Sequence, residues 1–180
     1  QHVIDLVAGR PHLDQRVDPT ETGTEDLLSV LDEIGTYRGS GDDEPRVWGI
    51  HVVSPSTYDD ERFARLVDGL LRHHVGVVTC PSAALGMRLD RSVSTPTGNA
   101  IPRVLELVAA GVPVRLGSDN IDDICSPSTT ADLIDEVFAL SAAVRFYDPA
   151  VLAALACGST PTPQERAKTR MIMVSVDPER

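Results

Sequence analysis

Val112-Pro113-Val114-Arg115-Leu116-Gly117-Ser118-Asp119-Asn120 is the stretch on which the fold turns. A helical pattern stops at Gly111, and a short apolar, β-branched segment then runs directly into an acid within a Gly-Ser-Asp-Asn turn. A buried strand that delivers a carboxylate at its C-terminal end is the usual geometry of an α/β enzyme site. The same letters also suit an aspartate that caps the next helix or folds an Asx turn. The surrounding chain decides between these.

Outward from this stretch, strand and helix patterns alternate. Residues 46–53 spell a strand, with Val47, Ile50, His51, Val52 and Val53, closed by Ser54-Pro55. A helix follows from Asp59, its apolar stripe formed by Phe63, Leu66, Val67, Leu70 and Leu71. Residues 75–80 are another strand, stopped by Pro81, and residues 88–98 are a long polar loop, with Asn99 a candidate cap. Ile101, Val104, Leu105 and Val108 mark a third helix that ends at Gly111. A fourth carries Leu133, Ile134, Val137 and Phe138, and a fifth starts at Asp148-Pro149 and ends near Gly158. Upstream, Thr22 and Glu25 are spaced as a capping box ahead of Leu27, Leu28, Leu31 and Ile34. Residues 3–7 suit either a strand or the last turns of a helix, and the apolar run at 171–176 either a stray strand or a tail without order.

Strands that are apolar on both faces, alternating with helices, predict an α/β fold with a parallel sheet. The expected division is a body over residues 1–158, holding about four β/α units, and an irregular tail over 159–180. Four units are half of a (β/α)8 barrel, which typically runs to roughly 250 residues.

Composition narrows the function. The chain has 180 residues, 42% hydrophobic and 24% charged, with a net charge of −11. So acidic a chain is repelled by phosphate backbones, which argues against a nucleic-acid partner. No apolar run reaches the eighteen or so residues of a membrane span, and no basic-then-apolar signal pattern opens the sequence. Cys80, Cys125 and Cys157 are too scattered for a disulfide framework or a cysteine zinc site, so reduced thiols and a cytoplasmic location are expected. Cys80 and Cys157, in apolar company, read as small core residues.

His12, His51 and Asp119 each follow or close a strand-like segment. In a parallel sheet all strand C-termini lie on one side, so these three can converge. A catalytic zinc takes typically three protein ligands from such donors and keeps one position for water. Each also has a plainer reading: His12 as a loop residue, His51 as a hydrogen-bonded core histidine. His73 and His74, at a helix C-terminus, suit the helix dipole and receive no catalytic role. Asp14, Asp18, Asp122 and Asp123 read as loop and cap acids, with Asp122 near enough to Asp119 to reach a substrate.

His12-Leu13-Asp14-Gln15 with Asp18-Pro19, the strand ending in His51, then Thr79-Cys80-Pro81-Ser82 and Leu116-Gly117-Ser118-Asp119-Asn120 together resemble the cytosine-deaminase branch of the metal-dependent amidohydrolase superfamily. The resemblance runs from about Pro11 to Gly158 and matches the order of strands five to eight of that family's barrel. It implies a metal-dependent hydrolase of non-peptide C–N bonds, with zinc or iron and a pyrimidine-like or cyclic amide substrate. By this resemblance His12 and Asp119 are metal ligands. Asp119 is also the general base, and His51 orients the attacking hydroxide or binds the substrate oxygen. Gln15 stands where deaminases carry a proton-shuttling glutamate; unable to cycle a proton, it keeps a positioning role beside Asn120 and Asp122 at the substrate. The family's His-x-His pair from the first strand has no counterpart here, so the chain is expected to be the C-terminal portion of a longer enzyme.

Two other functions compete. A catalytically inactive remnant, acting by binding or assembly, would also lack that pair. A small doubly wound ligand-binding domain would carry a phosphate loop, and neither Gly-x-Gly-x-x-Gly nor Gly-x-x-x-x-Gly-Lys occurs. An open half-barrel exposes strand edges and apolar residues, so a homo-oligomer is also expected.

Overall fold

The computed structural model describes residues 22–35, 44–86, 101–123 and 129–176. Its centre is a parallel sheet of three strands in the order β1 (Val47–Ile50), β2 (Val75–Thr79) and β3 (Val114–Leu116). Val47 pairs with Val75, and Val77 with Val114, so residues in register point to the same side. The expected parallel α/β arrangement is thus present. The strand expected before His12 lies outside the described residues.

Alternation divides the sheet into two faces. Val47, Val75, Val77, Val114 and Leu116 join one core with Leu66 and Leu70 of α2 (Asp60–His73) and Val104, Leu107 and Val108 of α4 (Val104–Ala110). The opposite face carries Trp48, Gly76 and Arg115. There the Arg115 guanidinium lies 4.3 Å from the Trp48 ring, a cation–π contact. Arg115 also donates to Gly158 O at 3.2 Å and pairs with Glu44.

Local chemistry sets the helix limits. α2 starts where Asp59 accepts from the Arg62 N–H at 2.7 Å, has Asp60 and Glu61 in its first turn, and ends at His74 with φ 54°. α4 stops at Gly111, whose φ of 95° admits the left-handed turn that closes the helix. Asp132 caps α5 (Leu133–Val144), and Asp148 caps α6 (Pro149–Ala156) through the Ala150 and Val151 amides. His73 is buried, its Nε2 2.8 Å from Asp32 of α1 (Gly23–Ile34), in keeping with a structural histidine.

Five local expectations are corrected. The strand over 46–53 is shorter, because His51 and Val52 turn the chain out of extended geometry with φ of 67° and 50°. The capping box at Thr22 does not form: Thr22 donates to Asp26, and Glu25 is drawn away to Arg62 of α2 at 2.5 and 2.8 Å. α5 forms, but Ile134 and Phe138 are 69% and 74% exposed, and its deepest residues are Leu140 and Glu136. Cys157 is exposed rather than in the core. The tail expected to be irregular holds α7 (Pro163–Val176), packed against α4. Its start is a complete capping box: Thr162 Oγ1 accepts from the Glu165 N–H, Glu165 accepts from the Thr162 N–H, and Pro163 follows the cap. A turn over α3 (Pro81–Leu85) and a 3-10 turn over Ser54–Thr57 complete the described elements.

Candidate functional site

The C-terminal end of β2 organises what lies around it. Val78 O accepts from the His51 N–H at 2.8 Å, and Thr79 O accepts from the Gly117 N–H at 2.9 Å. The central strand thereby holds the ends of both its neighbours. A Cβ at Gly117 would lie 2.9 Å from Val78 Cγ1 and 3.4 Å from Cys80 Sγ, so a larger residue would have to displace the Val78 side chain. Two residues later Asp119 takes φ 61°, a left-handed conformation that aspartate tolerates better than most residues.

This geometry brings His51 and Asp119 together. His51 Nε2 lies 3.6 Å from Asp119 Oδ1, with the two side chains 29% and 28% exposed. The separation exceeds a direct hydrogen bond, yet one bound oxygen or nitrogen could contact both groups. Two of the three strand-end residues expected to converge therefore do so. His12 lies outside the described residues, as do Gln15, Asp14 and Asp18. Asn120 and Asp122 are exposed on the loop beyond Asp119 and are fixed through their backbones: Asn120 O accepts from Thr129 Oγ1, and the Asp122 N–H donates to Thr129 O at 3.2 Å.

Two residues beneath the site were not read as functional from sequence. Cys80 follows β2 and is 3% exposed, its sulfur lying 3.4 Å from where a Cβ on Gly117 would stand. Burial, with the carboxylates of Asp119 and Glu136 nearby, pushes its thiol up to about 12, so it stays protonated. Glu136, 2% exposed, reaches from α5 to the start of α3, accepting from the Ser82 N–H at 2.9 Å and from Ser82 Oγ. A sequence signal for Glu136 exists: it lies three residues after Leu133 and four before Leu140, on the buried side of its helix.

His51 and Asp119 are donors of the right chemistry for a divalent metal, but a catalytic zinc takes typically three protein ligands. Among the described residues no group of three His, Cys, Asp or Glu side chains could hold one. They do not complete a metal site by themselves. Nor, among the described residues, is any helix long and apolar enough to cross a membrane.

No family model and no curated protein sequence matches the chain. Solved structures do. The 5-methylcytosine deaminase of Klebsiella pneumoniae, liganded with 5-fluorocytosine or with phosphonocytosine, superimposes with a TM-score of 0.64 at 19% identity. The alignment covers 89% of this chain and 36–37% of that one. N-isopropylammelide isopropylaminohydrolase of Burkholderia multivorans ATCC 17616 gives a TM-score of 0.56 at 19% identity, covering 83% of this chain and 32% of that one. Both are amidohydrolase-superfamily enzymes. The chain spans about a third of the length of these structures, and over that span its fold is like theirs.

Proposed function

We propose that the chain is the C-terminal half of a (β/α)8 barrel from a metal-dependent hydrolase of non-peptide C–N bonds, acting on a pyrimidine-like or cyclic amide substrate. The observation that carries this reading is the convergence of His51 and Asp119 at 3.6 Å on the C-terminal side of a parallel sheet. Ligands of this chemical class in the Klebsiella neighbour support the substrate class.

In this reading His12 and Asp119 would be the chain's ligands to zinc or iron. Such an ion, when bound, supplies Lewis acidity and lowers the pKa of water. Asp119 takes the proton of the attacking water. His51 orients that water or binds the substrate oxygen, and Gln15, Asn120 and Asp122 line the substrate. On a cytosine-like ring, water adds at the carbon bearing the exocyclic amine, the C–N bond breaks, and ammonia leaves.

Ammonia release from cytosine and from cyclic amides, measured with the zinc- or iron-supplemented longer enzyme that would contain this chain, tests the proposal. Hydrolysis should occur and fall by roughly 100-fold or more in Asp119→Asn, the scale of a lost general base. The lack of a third donor among the described residues favours a second reading, an inactive remnant that binds or assembles. No hydrolysis with either metal would decide for that remnant, and hydrolysis indifferent to Asp119→Asn would refute the role given to Asp119.

A further inference from the structure

The segment that carries Asp119, Asn120 and Asp122 leaves β3 at Gly117 and enters α5 at Leu133. Its two described sides are tied to each other: Asn120 O accepts from Thr129 Oγ1, and the Asp122 N–H donates to Thr129 O at 3.2 Å. Thr129 leads into a braced helix start. Thr130 Oγ1 donates to Asp135 at 2.7 Å and accepts from the Asp132 N–H at 3.1 Å, and Asp132 accepts from the Ile134 N–H at 2.9 Å. Both sides are also anchored to one short stretch at the end of β2. On the first side the Gly117 N–H donates to Thr79 O at 2.9 Å. On the second Glu136, one turn into α5, accepts from the Ser82 N–H at 2.9 Å and from Ser82 Oγ. Glu136 is 2% exposed, and among the described residues its hydrogen bonds go to Ser82. A carboxylate so buried costs stability unless its oxygens are bonded, and a well-packed apolar side chain would cost less. What the carboxylate provides that a leucine could not is direction: two bonds that fix α5 against one point of the chain.

We infer that Glu136 is the positioning residue for the Asn120–Asp122 turn, holding it at the C-terminal end of the sheet by clamping α5 to Ser82. The inference rests on the reading of that turn as lining the substrate. Glu136 does not touch the substrate. It acts through Ser82 on one side, and through the start of α5 and Thr129 on the other. Asp119 has an anchor of its own in the Gly117 bond to Thr79 O. The clamp therefore governs where the substrate is held more than the acid that acts on it.

Amide hydrogen exchange on the full chain tests this without relying on turnover. Glu136→Ala removes the acceptor and should speed exchange at the Ser82 amide by about tenfold or more, the scale of a lost hydrogen bond to a charged group. The decisive amide is that of Asp122, which should speed up roughly three- to tenfold as its bond to Thr129 O opens, while the Leu70 and Val77 amides stay unchanged. Glu136→Gln keeps both bonds, its amide oxygen accepting from the Ser82 N–H and its amide nitrogen donating to Ser82 Oγ, and should restore wild-type rates at both positions. Should Glu136→Ala unfold, Ser82→Ala, which deletes only the hydroxyl bond, reads the same rise at Asp122 by a smaller factor. In the zinc- or iron-supplemented longer enzyme, Glu136→Ala should raise KM more than it lowers kcat, and Glu136→Gln should change neither. Three results would overturn the inference: Asp122 exchange within about twofold of wild type in folded Glu136→Ala, an Asp122 amide already unprotected in the wild type, or a rise shared equally by Leu70 and Val77. Failure of the hydrolase reading would show separately, as absent activity with the exchange pattern intact.

Discussion

Gly76→Ala should damage the fold through the ring of Trp48. A Cβ at position 76 would lie 2.5 Å from both Cε3 and Cζ3 of the indole, against an ordinary carbon–carbon contact of about 3.5–4.0 Å. The ring therefore has to move by about 1 Å. It is poorly free to do so, because its Nε1 donates to Pro45 O at 3.1 Å and the Arg115 guanidinium lies 4.3 Å away. Overpacking of this kind costs about 1–3 kcal/mol, and loss of the indole hydrogen bond adds about 1 kcal/mol if the ring is expelled. Replacing glycine within a strand returns about 0.5–1 kcal/mol. The net expectation is destabilisation by up to about 3 kcal/mol. Trp48 is the sole tryptophan, so its fluorescence during urea unfolding reports both the equilibrium and the ring's own environment. Wild type and Gly76→Ala should differ in midpoint and in native emission. In a Trp48→Leu background, followed by circular dichroism, the same substitution should be neutral or stabilising. An unchanged midpoint with unchanged emission in Gly76→Ala would refute the contact, and an equal cost in both backgrounds would refute its assignment to Trp48.

Asp148 links α6 to α7. The Lys168 ammonium, 2.5 Å from its Oδ2, and the Val151 and Ala150 amides hold its carboxyl below the usual carboxylate range. A folded-state value below the unfolded one contributes stability that is present above the unfolded value of about 3.9 and is lost as pH falls through the folded value. Acid unfolding should therefore steepen below about pH 4 in wild type, and Asp148→Asn, which keeps the cap but loses the ion pair, should flatten it. Asp148→Ala should cost about 1 kcal/mol more than Asp148→Asn at neutral pH, the usual value of an N-cap, read from thermal unfolding. For α7, Thr162→Val removes both the cap acceptor and the hydroxyl that donates to Glu165. It should cost about 0.5–2 kcal/mol and raise amide exchange in the first turn of α7 before that of α4; uniform exchange across both helices would count against local capping.

The core and the caps were legible because their causes are local. The stripe from Phe63 to Leu70 buries as its spacing demands, and Asp59 and Asp148 cap the helices they precede. β1 is shorter than its letters suggest: Val52 is β-branched and carries every local mark of a strand, while the chain turns where the Val52 N–H folds back onto Ile50 O at 2.9 Å. α7 shows the opposite failure. Thr162, Pro163 and Glu165 form a strong start signal, but the charged helix beyond it has no clean apolar stripe to draw attention. At the site, His51 and Asp119 were visible as strand-end donors. Cys80 read only as a small core residue, because its place beneath Gly117 follows from the pairing of β2 with β3 rather than from its own neighbours in sequence. Glu136 was hidden by its charge, which in most helices marks the solvent side.

The choice that the sequence left open for His51, core histidine or site residue, has a thermodynamic answer. At φ 67° any residue with a Cβ is strained by roughly 1–2 kcal/mol, and the bond that anchors the position, His51 N–H to Val78 O, is made by the backbone. His51→Gly keeps that bond and relieves the strain. The side chain is 29% exposed and 3.6 Å from Asp119, too far for a direct hydrogen bond, so its removal breaks none to that carboxylate. His51→Gly should then be neutral or stabilising by up to about 1 kcal/mol in thermal unfolding, whereas His51→Ala, which retains the Cβ, should gain nothing. The difference between the two variants isolates the backbone strain. A histidine retained for stability would give the reverse, with both variants losing more than about 1 kcal/mol as buried contacts disappear. Strain held at a half-open imidazole beside a carboxylate, and released by deleting that imidazole, would mean that the position is kept for what its side chain does rather than for the fold it costs.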